Sequence, residues 1–339
     1  QVIPHVTDEI KKRIISVNAQ DNYDVIICEV GGTVGDIESL PFMESIRQLS
    51  LEVGYHNHML VHVTLLPFVK ASGELKSKPT QHSVMKLREI GLSPDMILCR
   101  SEFPIEQSVR DKIALFCNVP SNHVIEGRDV SSIYEVPLAI YRQNAGQLIK
   151  DRLKIKKTPQ LGTLKKFIKN YKNPKHEVTI AMCGKYTELI DSYKSVMEAF
   201  VHAGVENNAR VNIKWIQTEK IKNLEDVEKV YSNINGVLIL PGFGSRGSEG
   251  KIKIVKYSRE NKVPFLGICL GLQCAVIEFA RNVCKMKGAN STEFNSNTQY
   301  PVIDLMESQR AIKIKGGTMR LGAYDCEMEG RRNGALIAM

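Results

Sequence analysis

The strongest chemical signal in the sequence is a cysteine between a predicted strand and a predicted helix. The apolar run Val263–Ile268 leads directly into Gly267-Ile-Cys269-Leu-Gly271. This pattern is typical of a nucleophile elbow, in which two glycines allow a sharp turn and the nucleophile projects from it. Because the thiol then lies at a helix N-terminus, the positive end of the helix dipole favours the thiolate. The backbone N–H of Leu270 is predicted to donate to an oxyanion.

The alternative is that Cys269 is a buried free cysteine, as most cysteines in such a chain are. We take that interpretation for Cys28 and Cys183, which lie inside predicted strands, and we place Cys274 and Cys284 in the core on the helix after the elbow. For Cys269, the order of strand, turn and helix favours a nucleophile.

Two further features bear on the same chemistry. The turn Pro241-Gly-Phe-Gly244 ends the predicted strand Gly236–Leu240 and is a candidate for a second oxyanion donor. A thiol nucleophile in acyl transfer normally needs a histidine base. All eight histidines lie at or before His202. Either one of these upstream histidines folds into range of Cys269 or, as the simpler inference, the base lies outside this sequence.

A candidate phosphate and metal site lies near the start of the chain. Glu29-Val-Gly-Gly-Thr-Val-Gly35-Asp36-Ile-Glu38 follows the predicted strand Asp24–Val30. Glycines and carboxylates at the carboxyl end of a parallel strand are typical of a ligand site, and carboxylates beside phosphates commonly hold Mg²⁺. The alternative is a glycine turn with solvated acids. No GxxxxGK[ST] phosphate loop is present in the sequence.

Pairs of charged residues precede two predicted helices. Lys76 and Lys78 lie before the helix Pro79–Ile90, where charge and helix N-terminal amides could together hold a polyphosphate. The alternative is that these lysines are only solvated. Asp191 and Lys194, at the start of a later helix, are equally ambiguous.

The elements that position these residues alternate between strands and helices, which predicts parallel sheets with helices on their faces. In the first part of the chain the predicted strands are Asp24–Val30, Met59–Leu66 and Asp95–Cys99, and the helices are Ile37–Val53 and Pro79–Ile90. After the basic segment the predicted strands are Val178–Cys183, Val211–Ile216, Gly236–Leu240 and Val263–Ile268, and the helices are Ser192–Ala203, Leu224–Tyr231 and Leu272–Val283. The predicted fold class is α/β, with two doubly wound α/β domains.

Composition sets limits on the class of protein. The chain has 339 residues, 43% hydrophobic and 24% charged, with a net charge of +9, and this length suggests two globular domains. Residues 150–175 contain ten Lys or Arg and one acid, which predicts a solvated basic linker and not a nucleic-acid surface. We therefore predict domains at 1–150 and 177–339, joined by a linker at 151–176.

Two absences in the sequence favour a cytoplasmic protein. No apolar run approaches the roughly 18 residues that a membrane span needs. The eight cysteines form no CxxC pair, so neither a zinc ribbon nor a disulfide framework is indicated, and a reducing compartment is expected.

Several longer motifs, in a fixed order, resemble the CTP synthase family from Gln1 to Ala323. They are GGTVGDIESLPF, ASGELKSKPTQHSV, KIALFCNVP, DSYKSV, PFLGICLGLQ, ANSTEF and GGTMRLGA. The resemblance implies a dethiobiotin-synthetase-like, P-loop-type synthetase domain that lacks its N-terminal part. It implies a class I glutamine amidotransferase domain that lacks its C-terminal part.

The resemblance also implies an activity. Such a ligase uses ATP and Mg²⁺ to phosphorylate O4 of UTP, and ammonia from L-glutamine then displaces the phosphate to give CTP, a step of pyrimidine nucleotide biosynthesis. GTP is implied as an allosteric activator and CTP as a feedback inhibitor. A cytosolic homotetramer that can form filaments is expected, with neither nucleic acid nor membrane as a partner.

The implied site residues fall into groups. The nucleophile is Cys269, with Gly242 and Leu270 as oxyanion donors and Gln273 and Glu293 at glutamine-binding positions. Glu29 is the implied Mg²⁺ ligand, and Val130 is at an ATP-site position. The implied UTP and CTP contacts are Asp36, Glu38, Lys76, Lys78, Gln81 and Lys112. Asp191 and Lys194 are associated with the synthetase reaction.

The sequence departs from the family pattern in three ways. The family's phosphate-binding loop and a second Mg²⁺-binding acid precede the position of Gln1. The His and Glu of the glutaminase triad, and an Arg that binds glutamine, lie beyond Met339. The family's PGGFG is one glycine shorter here, which puts the oxyanion turn in question. We therefore expect this chain alone to be inactive.

Two other interpretations stay open at this point. One is another class I amidotransferase or an elbow cysteine hydrolase, although neither explains the motifs of the first domain. The other is a non-catalytic remnant that binds nucleotide or supports filament assembly.

Overall fold

The computed structural model describes residues 1–21, 23–185 and 190–305. The chain divides into two compact units, Gln1–Ile168 and Lys169–Met339, and each is described by itself. The motif GGTMRLGA and Cys326 lie outside the described residues.

The first unit contains a parallel sheet of β1 (Val61–Leu65), β4 (Met96–Ser101) and β5 (Val124–Arg128), in the strand order β1–β4–β5. A small antiparallel pair is formed by β2 (Phe68–Val69) and β3 (Glu74–Leu75). The helices are α1 (Thr7–Asp21), α2 (Leu40–Val53), α3 (Lys78–Glu89), α4 (Gln107–Cys117), α5 (Val136–Tyr141), α6 (Ala145–Leu153) and α7 (Gly162–Lys172).

Two helix predictions in this unit are confirmed. The predicted helix Ile37–Val53 consists of a 3-10 turn, Ile37–Ser39, followed by α2. The predicted helix Pro79–Ile90 is α3, with Pro79 in its first turn. Gly91 follows with φ of +87°, a left-handed conformation that ends a helix at little cost only for glycine.

The predicted strand Asp24–Val30 is wrong. The segment is irregular, and Ile27 is 92% exposed. A strand needs a neighbour for its backbone N–H and C=O groups, and within the described ranges no strand pairs with this segment. For the same reason the prediction that Cys28 is buried is wrong, because its thiol is exposed.

The strand predicted at Met59–Leu66 is confirmed as β1, but only one of its faces is buried. His62 and Thr64 point into the unit, whereas Val63 on the other face is 56% exposed. A continuous apolar run predicts a strand covered on both faces, and in the described structure only one face of β1 is packed. The predicted strand Asp95–Cys99 is β4, which lies at the centre of the sheet and is mostly buried.

The predicted linker is partly helical. It contains α7, and the division between the two units falls inside this helix. The domain boundaries at 1–150, 151–176 and 177–339 stay predictions.

The second unit contains a parallel sheet of four strands, β6 (His176–Gly184), β7 (Ala209–Gln217), β8 (Gly236–Ile239) and β9 (Phe265–Gly267), in the order β7–β6–β8–β9. A short parallel pair is formed by β10 (Asn290–Ser291) and β11 (Pro301–Ile303). The helices are α8 (Lys194–Glu206), α9 (Leu224–Tyr231), α10 (Ser248–Glu260) and α11 (Leu270–Asn282).

All four strands and all three helices predicted for this unit are present, with small shifts at their ends. The core contains side chains from β6 and β8, such as Cys183 and Ile239, packed with Ile254 of α10. Because the strands of the sheet are parallel, their carboxyl ends share one edge, where α/β proteins bind ligands. Helix α10 is not predicted from the sequence, although its buried Ile254 packs with the core of the sheet.

Candidate functional site

Cys269 occupies a strained turn between β9 and α11. Its backbone has φ of 54° and ψ of −110°, a region that non-glycine residues rarely adopt, at a cost of about 1–3 kcal/mol. Its thiol is exposed. The strand–turn–helix arrangement of the predicted nucleophile elbow is therefore confirmed, and its strain is typical of functional turns.

The two glycines of the elbow are required by close backbone contacts. A Cβ added to Gly267 would lie 2.5 Å from the carbonyl carbon of Gly271. A Cβ added to Gly271 would lie 2.4 Å from the carbonyl oxygen of Ile239 in β8. The sharp turn and the close packing of α11 on the sheet therefore exclude any side chain at either position.

The two predicted oxyanion donors lie on neighbouring segments. Leu270 is the first residue of α11, so its N–H has no acceptor within the helix. The turn after β8 packs beside it, because a Cβ added to Gly242 would lie 3.5 Å from Leu270 Cδ2. Although this turn is one glycine shorter than the family pattern, it is adjacent to the elbow.

Three side chains hold the turn after β8. Lys185 Nζ donates to the carbonyl oxygens of Phe243 and Gly244, and Lys251 Nζ donates to the carbonyl oxygen of Leu240 at 3.1 Å. The N–H of Gly244 donates to Glu293 Oε1 at 2.7 Å. Glu293, at a predicted glutamine-binding position, thus lies at the turn. Sequence reasoning missed both lysines, because an isolated lysine gives no signal of burial.

Of the other described cysteines of this unit, Cys183 and Cys274 are buried, whereas Cys284 is exposed as Cys269 is. Cys274 is buried as predicted, and burial raises the pKa of its thiol to about 11. Cys183 is fully buried as predicted, and burial raises the pKa of its thiol strongly. The prediction that Cys284 belongs to the core is wrong: it follows the end of α11, and its thiol is exposed.

The remaining predicted residues of the second unit lie at helix starts. Gln273 is in the first turn of α11, half-buried, and its N–H donates to the carbonyl oxygen of Cys269 at 3.1 Å. Asp191 lies in the 3-10 turn Ile190–Tyr193, and Lys194 is the first residue of α8; both are exposed. Their roles stay predictions.

The two histidines of this unit are remote from the elbow. His176 is the first residue of β6, whereas Cys269 follows the carboxyl end of β9, and nine residues of strand span about 26 Å. His202 lies near the carboxyl end of α8, and this helix runs back from the carboxyl edge of the sheet towards β7. Neither histidine is therefore placed to act as a base for Cys269.

In the first unit, the structure brings together two of the predicted phosphate-binding lysines. Lys76 Nζ forms an ion pair with Glu74 at the end of the β2–β3 hairpin. The positive charges of Lys76 and of Lys112 in α4 both lower the pKa of Glu74, so the two lysines lie around one carboxylate. This cationic group follows the carboxyl end of β1, and Val130 follows the carboxyl end of β5 at the same edge of the sheet.

In the described structure, no hydrogen bond or ion pair joins the other predicted nucleotide contacts to this group. Asp36 Oδ2 accepts a hydrogen bond from the N–H of Thr33 at 3.1 Å and closes the glycine turn. Gln81 in α3 donates to Ser77 Oγ at 2.9 Å. Across the parts of the chain that the structure describes, no hydrogen bond or ion pair joins Glu29, Glu38 or Lys78 to the other predicted residues, and all three are exposed.

Within the described ranges, protein side chains alone do not form a metal site. Among the described residues, no group of three His, Cys, Asp or Glu side chains could hold an ion. Mg²⁺ in nucleotide enzymes is commonly bound by one or two carboxylates together with substrate phosphates. The exposed Glu29 fits a single carboxylate of that kind.

Comparison with known proteins identifies both halves of the chain. Residues 1–155 match the family model described as CTP synthase N-terminus, and residues 188–334 match that of the class-I glutamine amidotransferases. The chain belongs to the CTP synthase family. This match of the first unit excludes the alternative of an unrelated class I amidotransferase.

The curated relatives are bacterial and archaeal CTP synthases. One from Caldanaerobacter subterraneus is 55% identical over 97% of this chain and 61% of its own length. One from Methanocaldococcus jannaschii is 53% identical over 96% of this chain and 61% of its own length. The chain thus spans about three fifths of the length of the CTP synthases it matches.

A solved structure of the glutaminase domain of Trypanosoma brucei CTPS with bound acivicin is also similar to part of this chain. It is 35% identical, with a TM-score of 0.37, and the match covers 39% of this chain and 52% of that one. Among the helices of the described residues, none is long and apolar enough to cross a membrane.

Proposed function

We propose that this chain contributes the nucleotide and glutamine sites of a CTP synthase, which converts UTP to CTP with ATP and with ammonia from glutamine. The observation that carries the proposal is the strained, exposed Cys269 elbow in an amidotransferase unit, joined in one chain to a CTP synthase N-terminal domain. Neither domain alone supports this pairing of substrates.

In the glutaminase reaction, the Cys269 thiolate attacks the side-chain amide carbon of glutamine. A C–S bond forms, and the π electrons of the carbonyl move to its oxygen, which accepts hydrogen bonds from the N–H groups of Leu270 and Gly242. When the carbonyl re-forms, the C–N bond breaks, and the amide nitrogen takes up the proton that the Cys269 thiol released and leaves as ammonia. Water then cleaves the thioester to release glutamate. Gln273 and Glu293 are proposed to orient the substrate.

In the synthetase reaction, ATP transfers its γ-phosphoryl group to O4 of UTP, and ammonia then displaces that phosphate from C4. Lys76, Lys78 and Lys112 are proposed to hold the triphosphate of UTP. Mg²⁺, with Glu29 as one ligand, would neutralise phosphate charge when bound. The other proposed contacts are Asp36, Glu38 and Gln81 for the pyrimidine nucleotide, Val130 for ATP, and Asp191 and Lys194 for the synthetase reaction.

Regulation and assembly are proposed from family membership. They comprise activation by GTP, feedback inhibition by CTP, a homotetramer that can form filaments, and a cytoplasmic location. The last agrees with the exposed free thiols of Cys28, Cys269 and Cys284, since exposed thiols persist in reducing compartments.

The test of the glutaminase site is selective alkylation. A glutamine-mimicking electrophile such as a diazoketone, at limiting concentration, should label Cys269 before the other exposed thiols, Cys28 and Cys284, because a substrate-shaped reagent is held beside the oxyanion donors. Peptide mapping gives the order of labelling, and excess glutamine should protect Cys269 alone.

A Cys284→Ser variant is the matched control, since it removes an exposed thiol after the same helix. It should leave the rate of Cys269 labelling unchanged. Labelling of Cys284 or Cys28 at the same rate as Cys269, without protection by glutamine, would show that the elbow is not a glutamine site.

A further inference from the structure

Lys251 is a fully buried lysine in the middle of the second unit. It lies on α10 with a relative exposure of 0%, and it is among the largest fully buried side chains of the chain. Its Nζ donates to the carbonyl oxygen of Leu240 at 3.1 Å. Across the described ranges no carboxylate forms an ion pair with it, so this ammonium group has no buried counter-ion.

A buried ammonium group without a counter-ion lowers the stability of the folded state. Burial without a counter-charge disfavours the ammonium form, and desolvation lowers the pKa of Lys251. The titratable groups that act on it are Lys185, which opposes its charge, and the thiols of Cys274, Cys183 and Cys269, whose anionic forms favour it. A methionine would fill a similar volume at lower cost, so packing alone does not explain a lysine here.

The ammonium group lies directly behind the turn that carries one oxyanion donor. A Cβ added to Gly242 would lie 3.9 Å from Lys251 Nζ and 3.5 Å from Leu270 Cδ2. Leu270 and Cys274 of α11 pack with Ile252, the neighbour of Lys251 in sequence. The Lys251 ammonium group therefore lies beside the turn and within electrostatic range of the Cys274 thiol of α11.

The hydrogen bonds of the Pro241–Gly244 turn indicate that the two ammonium groups restrict its backbone. Lys251 binds the carbonyl oxygen of Leu240, before the turn, and Lys185 binds those of Phe243 and Gly244, at its end. With carbonyls on both sides of Gly242 held by ammonium groups, the peptide between them has little freedom to rotate.

We propose that Lys251 is a positioning residue of the glutaminase site, whose buried positive charge fixes the Pro241–Gly244 turn and stabilises negative charge at Cys269 and at the oxyanion. The inference rests on the proposed function, since it takes Cys269 as the nucleophile. A fixed charge in a site of low dielectric acts strongly over short distances and needs no reorganisation during the reaction.

The test compares Lys251→Met with Lys253→Met in the full 339-residue chain. Lys253 lies on the same helix and its Nζ also donates to a backbone carbonyl, that of Lys222 at 2.6 Å, but that contact is exposed. The rate of alkylation of Cys269 by iodoacetamide is measured from pH 6 to 10, with Cys284 in the same chain as an internal reference.

Lys251→Met should lower the ratio of Cys269 to Cys284 labelling at neutral pH by about tenfold and shift the Cys269 profile to higher pH, because a nearby positive charge favours thiolate. Lys253→Met should leave both unchanged. An unchanged ratio and profile in Lys251→Met would overturn the inference.

Folding is monitored in the same experiment, because the buried thiols Cys183 and Cys274 become reactive if the unit opens. In that case Lys251→Gln, which retains a donor for Leu240 without the charge, takes the place of Lys251→Met. The same tenfold loss is expected, and a folded Lys251→Gln variant with parental Cys269 reactivity overturns the inference.

The two proposals fail in different ways. If glutamine does not protect Cys269 in the unsubstituted chain, the proposed function fails. If glutamine protects Cys269 and the lysine variants react as the parent does, only the role of Lys251 fails.

Discussion

At the scale of single residues, Lys76, which precedes α3, and Lys78, its first residue, differ in whether a carboxylate neutralises their charge. Lys76 is paired with Glu74, so a triphosphate must compete with a carboxylate for it. Lys78 is exposed at the first position of α3 and forms no ion pair in the described structure. Its charge and the helix N-terminus are therefore both available to a phosphate group.

Lys78→Ala should weaken UTP and CTP binding by about 10- to 100-fold, the equivalent of roughly 1.5–3 kcal/mol for a charge-assisted phosphate contact. Calorimetric titration of UTP at one ionic strength measures the change. Lys86→Ala is the matched control, because Lys86 is exposed on the same helix but paired with Glu89 at 2.6 Å. Equal UTP affinities of Lys78→Ala and the parent would mean that Lys78 is only solvated.

At the scale of elements, the elbow depends on how closely α11 approaches the sheet. The helix begins directly at the turn, and Gly271 allows its first turn to contact the backbone of β8. Buried Leu270, Cys274 and Ile277 then anchor the helix. The position of the thiol is thus set by backbone contacts and apolar packing together.

Gly271→Ala should destabilise the second unit by about 2–4 kcal/mol, because the new methyl group would overlap the carbonyl oxygen of Ile239 and move the helix. Urea unfolding followed by the fluorescence of Trp215, the single tryptophan, measures the loss. Gly242→Ala is the control, since its added Cβ meets neighbours only at 3.5 Å or more. A Gly271→Ala variant as stable as Gly242→Ala would show that the contact relaxes without cost.

At the scale of the whole molecule, the 339-residue sequence has no histidine after Cys269. The histidines of the second unit are His176 and His202, and neither lies at the edge of the sheet that carries Cys269. The first unit contains the lysines that are proposed to bind a nucleotide, but its sequence has no GxxxxGK[ST] loop.

The purified 339-residue chain should therefore make CTP from UTP, ATP, Mg²⁺, glutamine and GTP at least about a thousandfold more slowly than a full-length CTP synthase, since loss of a catalytic base alone costs this much or more. Chromatographic detection of CTP, with a full-length relative as the positive control, measures the difference. CTP formation within tenfold of the relative would contradict this account of the base and the phosphate loop.

The sequence by itself determined the α/β class, most of the elements of the second unit, and the elbow at Cys269. These features are local: a strand, two glycines and a helix start are encoded within about ten residues, and the long motifs that resemble the family are contiguous. The local pattern of hydrophobic residues and glycines therefore predicts these features without knowledge of the rest of the fold.

Only the tertiary structure decided what is buried and what is paired. It left Cys28 and Cys284 exposed, made Asp24–Val30 irregular, and buried Lys251 behind the oxyanion turn. Burial depends on which distant segments cover a residue, and a strand exists only where a neighbour pairs with it. An apolar run or a lone lysine has the same local pattern in either environment, so the sequence predicted the chemistry at Cys269 but not the charge that supports it.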